Sequence, residues 1–592
     1  MQVFLNAEKR ANPSSKLTLE KANLIAQICG QLEGMPLALE LAARWRGALG
    51  LPEILSEIEQ RNRLEFLTSD LEGIEERHKS LAKLASQSLN RLAKEEQRIF
   101  LGLCFMKGGF TRIAAEKISG ASLENMISLL GKSFIQRDRE GTFRIHEFLR
   151  QFGINQLEND KQRHLRIRDR YVAYYSHLME KSWWEAWSGE IKTLKREWVN
   201  IGRAFLLAAE SRNFEAVRRM MVPFSFSSVV GENFATSTIL FGKVAEELRG
   251  KAKTEDEIRT WALVSTQEGY FAGTQGQFDR GIKALAEARS LLEERRESLE
   301  FAWLAIYEPL AEVGAEYERM RANVEKALVI FEKDEEPYAI SVALNSLGNF
   351  AEGDKSIGFH KRALAINRAH NGTRDQAWSL IGIGIRQMIQ GNLRRALENV
   401  NSATQKYTSI QYSTGMAWGH GTLGQIFQKS ENLEGARRHY EKAIRIWRDG
   451  GWKYKGLGTV ELLGTLDFLE GKYVNATAHF LEVTEKSLEM GGKQVPNWIV
   501  PAEECALLAK FGQTRLALIA NRYTRKDLFA EEMWGGLDIQ FEEFKQNISK
   551  EELDRINKEV RRISPYQIAF AISEALQDIQ FQLSGDEKNL HV

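Results

Sequence analysis

Few residues in this chain have both the type and the spacing to do chemistry. Gly131–Lys132–Ser133 matches the last three letters of a phosphate-binding Gly-x-x-x-x-Gly-Lys-Ser/Thr loop. Met126 stands where the first glycine belongs, and Ile127–Leu130 form an apolar helix face rather than a run of exposed backbone N–H groups, so no phosphate cradle is expected. His146 and Glu147 open a His-Glu-x-x-His zinc pattern, but Arg150 occupies the second histidine position. Cys29, Cys104 and Cys505 lie far apart with no Cys-x-x-Cys pair, which argues against a zinc ribbon, a disulfide framework or a thioredoxin-type site. No Ser/His/Asp or Cys/His arrangement has local support. Neither a catalytic residue nor a metal ligand is therefore expected. Trp183, Trp184, Trp187 and Trp198 crowd into one short stretch. They could form an aromatic platform for a ligand, but the expected role is packing between helices.

The 592 residues include 81 basic and 80 acidic ones, a net charge of +1, so no global field draws the chain to nucleic acid or an anionic membrane. The N-terminus lacks a signal-peptide pattern, and no run of about 18 apolar residues occurs. With reduced cysteines expected as well, the predicted compartment is cytoplasmic. Proline is scarce, 9 in 592 or about 1.5% against a usual ~5%. Few helix breakers and plentiful Ala, Leu, Glu, Lys and Arg predict a mainly all-α fold.

A repeat organises the second half. Short segments begin at Gly276, Ala315, Gly353, Gly391, Glu431, Gly471 and Gly512, spaced by 39, 38, 38, 40, 40 and 41 residues. Five residues beyond each anchor stand Gly281, Met320, Gly358, Ala396, Ala436, Ala476 and Ala517. Twelve beyond stand Ala288, Ala327, Ala365, Ala403 and Ala443, then Val483 and Thr524; seven before stand Gly269, Gly384, Gly424 and Gly464. The anchor predicts a left-handed turn between helix A and helix B, and the small residues predict close approach of the two. Phe278, Tyr317, Leu393, Leu433 and Tyr473, two past the anchor, are placed to fill the seam. Each unit would bury its apolar face by stacking on its neighbours. These offsets resemble the tetratricopeptide repeat, run some four to seven residues longer than its 34-residue unit. The first helix usually lacks that family's Trp. Similar patterns with poorer registration occur near Arg212 and Gly231.

Before the array, helices are predicted over 18–30 and 36–46, with Thr18 as N-cap, Gly34 ending the first and Pro36 opening the second. A helical segment continues to about Arg63. Further helices are predicted over 80–92, 94–106, 111–119 and 122–131, then a hairpin of Phe134–Arg137 and Phe143–Ile145 around Glu140–Gly141. Helices followed by such a pair make a winged helix. The segment that would enter a DNA groove, Ser122–Gly131, contains no Lys or Arg, one acid (Glu124), and only Asn125 to read base edges. Arg137, Arg139 and Arg144 on the hairpin suffice for one or two phosphate contacts.

Ile28–Ala43, "ICGQLEGMPLALELAA", resembles the Gly-Leu-Pro-Leu-Ala motif of NB-ARC proteins, within the STAND class of signal-transducing ATPases, with Met35 where Leu is usual. The stretch from Arg77 through "RIHEFLRQF" resembles the winged-helix portion of bacterial members, with His146 as the histidine of their Met-His-Asp motif. By that resemblance Pro36 would pack against adenine and His146 would contact the ADP β-phosphate. The P-loop domain of the family would precede Gly34 by some 200 residues, and 33 residues precede it here. The chain thus resembles the C-terminal portion of a STAND protein with the P-loop domain absent.

The expected organisation is a helical remnant over 1–72, a winged helix over 73–160, helical hairpins over 161–255, tetratricopeptide-like repeats over 256–545, and capping helices over 546–592. The expected function is non-catalytic: a signalling scaffold that takes a protein or peptide partner in its solenoid groove. Nucleic acid and membrane are not expected partners. No cofactor is expected, and ADP or ATP would bind only if a P-loop polypeptide completed the site. The alternatives are a transcriptional regulator using the winged helix on DNA, and half of an ATPase switch completed in trans.

Overall fold

A computed structural model describes residues 19–31, 49–60, 92–132, 134–188, 192–311, 317–452, 454–489, 502–524 and 563–589, with a few isolated positions besides. The predicted N-cap Thr18, Pro36, and most of the helices over 36–46 and 80–92 lie outside the described residues, though Ala42 and Ala43 are helical and buried. The chain divides into two compact units, one of residues 1–177 with 194–207 and one of residues 178–193 with 208–592.

The first unit begins with α1 (Leu19–Gln31) and α2 (Leu51–Gln60). Then come α3 (Lys94–Leu103), α4 (Arg112–Ser119) and α5 (Leu123–Gly131). Local chemistry sets their ends. The Thr111 hydroxyl accepts the Ala114 N–H, Gly120 closes α4 at φ 78°, and Ser122 and Asn125 cap α5 reciprocally. Two short antiparallel strands follow, β1 (Gln136–Arg137) and β2 (Phe143–Arg144). Gly141 sits in their turn at φ 84°, and the Asp138 carboxylate accepts the N–H groups of Glu140 and Thr142. Next are α6 (Glu147–Glu158), α7 (Lys161–Ser188) and α8 (Lys192–Glu210). The stretch of α8 in this unit is held by a buried polar clasp. Glu197 accepts from the Thr111 N–H at 2.9 Å and the Tyr175 hydroxyl at 2.7 Å. Asn200 accepts from the Lys107 N–H and the Tyr171 hydroxyl and donates to the Gly109 carbonyl.

The second unit opens with the end of α7, then α9 (Phe214–Val230) and α10 (Phe234–Leu248). Six helical pairs follow. They are α11 (Glu255–Thr274) with α12 (Phe278–Leu292), α13 (Leu299–Ala311) with α14 (Tyr317–Lys333), and α15 (Pro337–Phe350) with α16 (Gly353–Ala369). The rest are α17 (Thr373–Ile389) with α18 (Leu393–Ser409), α19 (Ser413–Lys429) with α20 (Leu433–Asp449), and α21 (Leu457–Leu469) with α22 (Tyr473–Glu489). A shorter pair, α23 (Ala502–Lys510) with α24 (Thr514–Thr524), precedes α25 (Pro565–Asn589). This is an all-α, tetratricopeptide-like solenoid.

The predicted comb of small residues works as a packing device. Gly276, Gly391, Gly471 and Gly512 adopt φ between 74° and 88°, and Glu431 adopts 60°, so these five A-to-B turns are left-handed. Ala396, Ala436, Ala476 and Ala517 are fully buried. A Cβ on Gly384 would lie 2.4 Å from Val400, and one on Gly424 2.4 Å from Tyr440. Gly269 and Gly464 meet Leu285 and Phe480 in the same way. Each glycine thus receives the large residue nine beyond the next anchor. Leu393, Leu433 and Tyr473 are half-buried against the same cores.

One repeat is out of the predicted register. Gly358 and Ala365 are exposed, whereas Ser356 and Ala363 are fully buried. The buried positions there place the anchor at Ala351, two residues earlier than Gly353, and α15 passes into α16 through a connection of two residues where the pairs that follow use three. Gly353 has a positive φ of 50° but sits at the start of the helix.

Consecutive A helices (α11, α13, α15, α17, α19 and α21) touch one another more than consecutive B helices do. The A helices therefore form the inner side of the curve. The expectation that each unit contacts only its neighbours needs correction, because α9 and its flanks cross the N-terminal ends of five successive A helices. Arg218 reaches Glu300 of α13 at 3.1 Å, and the Phe226 ring packs on Tyr338 of α15. The Phe226 ring also lies under the Arg374 guanidinium of α17 at 5.6 Å, beside which Trp187, at the end of α7, donates to Asp375 at 3.0 Å. Glu232 accepts from the α19 N-terminus, and Phe234 packs on Trp452 just before α21. The 17 residues of α9 span about 25 Å, which matches three interhelical spacings of about 8–10 Å.

Candidate binding face of the array

The inner side of the A helices is mostly closed by packing. Two tryptophans depart from that. Trp378 of α17 and Trp418 of α19 both stand thirteen residues before their anchors, one repeat apart, and so occupy equivalent places on successive A helices. Trp378 is half-buried and Trp418 keeps 38% of its surface exposed. Stacking equivalent helices puts equivalent residues on one strip.

The strip adjoins a charged and aromatic floor. Arg374 pairs with the fully buried Asp375 at 2.6 Å and lies over the rings of Phe226, Trp378 and Tyr412 at 5.6–5.9 Å. Asp375 also accepts the Trp187 indole N–H. Trp183 and Trp187 are buried and stack at 6.2 Å, while Trp184 is exposed at the edge. The expectation of core packing thus holds for Trp183 and Trp187. Farther along, the Lys455 ammonium lies 4.3 Å and 4.1 Å from the Phe234 and Trp452 ring centres. Burial draws its pKa down to about 8, against the pull of the Glu232 carboxylate.

On the outer side a groove recurs between one B helix and the next pair. The groove of α12, α13 and α14 has a volume of about 280 Å³, and that of α18, α19 and α20 about 430 Å³. Arg289 and Asn323 line the first where Thr404 and His439 line the second. In the first, the Arg289 guanidinium and, at 3.6 Å, Arg319 face the buried Glu308. In the second, the Nδ1 atoms of His420 and His439 are 3.0 Å apart. Their ring centres are 5.2 Å apart, so the two nitrogens point at each other along a shared hydrogen bond rather than converging on a third atom. Burial lowers the His420 pKa to about 4, helped by Lys442. Among the described residues no group of three or more His, Cys, Asp or Glu could hold a metal ion.

Of the two residues singled out for nucleotide contact, Pro36 lies outside the described residues. His146 is half-buried at the N-cap of α6, with no side-chain capping bond. Lys132 is committed elsewhere: its ammonium is 2.7 Å from both Glu96 carboxylate oxygens. That contact, with the Ser128 hydroxyl and the Ala93 N–H, draws the Glu96 pKa down to about 2. Arg150, which breaks the zinc pattern, is buried and paired with Glu147 at 2.7 Å. The exposed side of α5 carries Leu123 and Ile127 beside Glu124, while Arg137, Arg139 and Arg144 are exposed near it. No helix of the described residues is long and apolar enough to cross a membrane.

The sequence reading missed the line of contacts from Trp187 to Lys455. A second set of left-handed turns lies between repeats, at Glu335, Asn371, Gln411 and Gly451, but only the asparagine and the glycine carry a signal for it in the sequence. These turns present the A-helix N-termini to α9.

No family model matches the sequence. Putative HTH-type transcriptional regulators of Mycobacterium bovis and Mycobacterium tuberculosis are 26% identical over 190 residues. The match takes in 30% of this chain and 21% of theirs, so the chain spans about a fifth of the length of these curated relatives. Among solved structures, a STAND protein with a tetratricopeptide repeat sensor from Pyrococcus horikoshii aligns at TM-score 0.34 and 14% identity, covering 83% of this chain and 72% of that one. A Rap protein complexed with competence and sporulation factor aligns at TM-score 0.36 and 14% identity, covering 64% and 98%.

Proposed function

We propose that this chain is a non-catalytic, cytoplasmic signalling scaffold that takes a protein or peptide partner on the inner side of its array. The single observation that carries this reading is the repeated, solvent-facing tryptophan at Trp378 and Trp418. Large aromatic side chains left partly exposed on a rigid, otherwise closed surface are the residues that anchor protein interfaces. Their spacing by one repeat suits an extended or helical segment laid across successive A helices. The N-terminal unit carries the winged helix of a STAND-type switch in this reading. Its order of three capped helices, a hairpin and a further helix supports that, and the Lys132–Glu96 pair supports the absence of nucleotide binding by this chain alone.

Replacing Trp418 with Ala tests the assignment. Because the side chain is partly exposed, the melting temperature should move by less than ~3 °C, while affinity capture of the principal partner by the full chain falls at least tenfold. Unchanged capture by the double variant Trp378→Ala/Trp418→Ala would move the binding face elsewhere. Binding to DNA that weakens steeply with salt would instead favour the arginines of the hairpin.

A further inference from the structure

A row of stacked helical pairs touches mainly its neighbours, so its curvature is set by many small interfaces and can flex like a spring. Here α9 ties repeats together that are far apart in sequence. Its start is fixed by an ion pair to Glu300, and its middle by the packed rings of Phe226, Trp183 and Tyr338. Its far end, the turn into α10, is held differently. One Glu232 carboxylate oxygen accepts the Thr414 N–H at 2.7 Å and the Thr414 hydroxyl at 2.8 Å, and the other accepts the Ser413 hydroxyl. These groups are only part-buried. The carboxylate sits where the first turn of α19 offers unpaired N–H groups and the positive end of its dipole. At the equivalent turn the array places Gly276, Gly391, Gly471 and Gly512 and, once, Glu431; Glu232 likewise takes the left-handed conformation, at φ 55°, with a full side chain. Beside it, the Lys455 ammonium is held by the faces of Phe234 and Trp452.

We propose that α9 is a strut across the A-helix N-termini and that Glu232 is its releasable latch, so that opening the contact with Ser413 and Thr414 relaxes the array and uncovers the inner strip of Trp378 and Trp418. The strut is held by the Arg218–Glu300 ion pair at its start, by packed rings in its middle, and by the Glu232 hydrogen bonds at its far end. The packed rings do not yield to salt, whereas the carboxylate contacts at the two ends do, and the one at Glu232 is part-buried. The regulatory consequence rests on the proposed binding face, but the latch itself is read without any partner.

Hydrogen exchange and hydroxyl-radical footprinting on the partner-free full chain test it. In Glu232→Ala, amide exchange over 413–416 should rise at least about tenfold, and radical oxidation of Trp378 and Trp418 should rise at least twofold. Wild-type protein at ~1 M salt, where the screening length is about 3 Å, should move in the same direction without any substitution, which covers the case of a variant that folds poorly. Glu232→Gln, which keeps one acceptor but loses the charge, should fall between wild type and Ala. Unchanged exchange over 413–416 would overturn the latch. Faster exchange there with both tryptophans unchanged would also overturn it, reducing Glu232 to a helix cap. Failure of the partner assignment alone would leave these readings intact.

Discussion

Buried glutamates are handled in opposite ways at the two ends of this molecule. In the N-terminal unit Glu197 is fully buried and meets donors from Thr111 and Tyr175, with Asn200 beside it. Toward the C-terminal end of the array, Glu461 of α21 and Glu503 and Glu504 of α23 come together with no cation among the described residues shifting them. One oxygen each of Glu503 and Glu504 is buried and has no hydrogen-bond partner among the described residues. Burial, reinforced by repulsion from Glu503, pushes the Glu461 carboxyl up to about 8, and burial lifts Glu503 to about 7. Glu504 is held well above the ordinary carboxylate range by burial and by Glu461. The lesson is physical. A buried carboxylate either finds donors and serves as a clasp, or gives up its charge and makes local stability depend on pH.

The severest way to break the comparison is to bury a charge that can neither be paired nor neutralised. Ala436 is fully buried where α19 crosses α20. Ala436→Arg should cost about 4 kcal/mol or more, because arginine does not deprotonate in proteins. Calorimetry should show the adjacent repeats melting before the N-terminal unit. Removing the clasp is next. Glu197→Ala leaves the Thr111 N–H and the Tyr175 hydroxyl buried without their acceptor, for about 3 kcal/mol. Exchange should then rise across 105–111 and 171–175 while the repeats keep their protection.

The smallest effect sharpens the comparison. The C-terminal carboxyls are raised in the folded state, so that state holds protons the unfolded chain has released. Stability of α21 to α24 should therefore fall as pH rises from about 4.5 toward 8 and level off above it. Glu461→Gln removes that dependence at its site and should stabilise the region by about 2 kcal/mol at pH 8 with little change at pH 4.5. Denaturant melts followed by exchange at 502–510 measure both. A melt that is flat with pH in the wild type would contradict the shifted carboxyls.

Much of the array was legible in the sequence because its small residues are local in effect. A glycine that must accept Val400 or Tyr440 recurs at a fixed offset, and so does a left-handed turn. The slip at Gly353 shows the limit of that reading. Glycine marks flexibility, not register, and burial of Ser356 and Ala363 is what sets the turn. The candidate face was less legible. Trp378 and Trp418 share a register position that the alignment contains, yet their exposure depends on what α9, α17 and α19 leave uncovered. The sequence reading placed Pro36 and His146 by resemblance alone, and His146 lies at the N-cap of α6.

By itself the sequence determined the helical class, the period of the repeat, the seam between A and B helices, and the helices and hairpin of residues 94–144, since each depends on contacts within some forty residues. Only the tertiary structure decided that α9 and its flanks cross five A helices, that Trp187 meets Asp375 188 residues away, and that Glu461 comes within electrostatic reach of Glu503 and Glu504. Those outcomes depend on how the repeats curve. Curvature is the sum of many small interhelical rotations, and no single residue pattern encodes that sum.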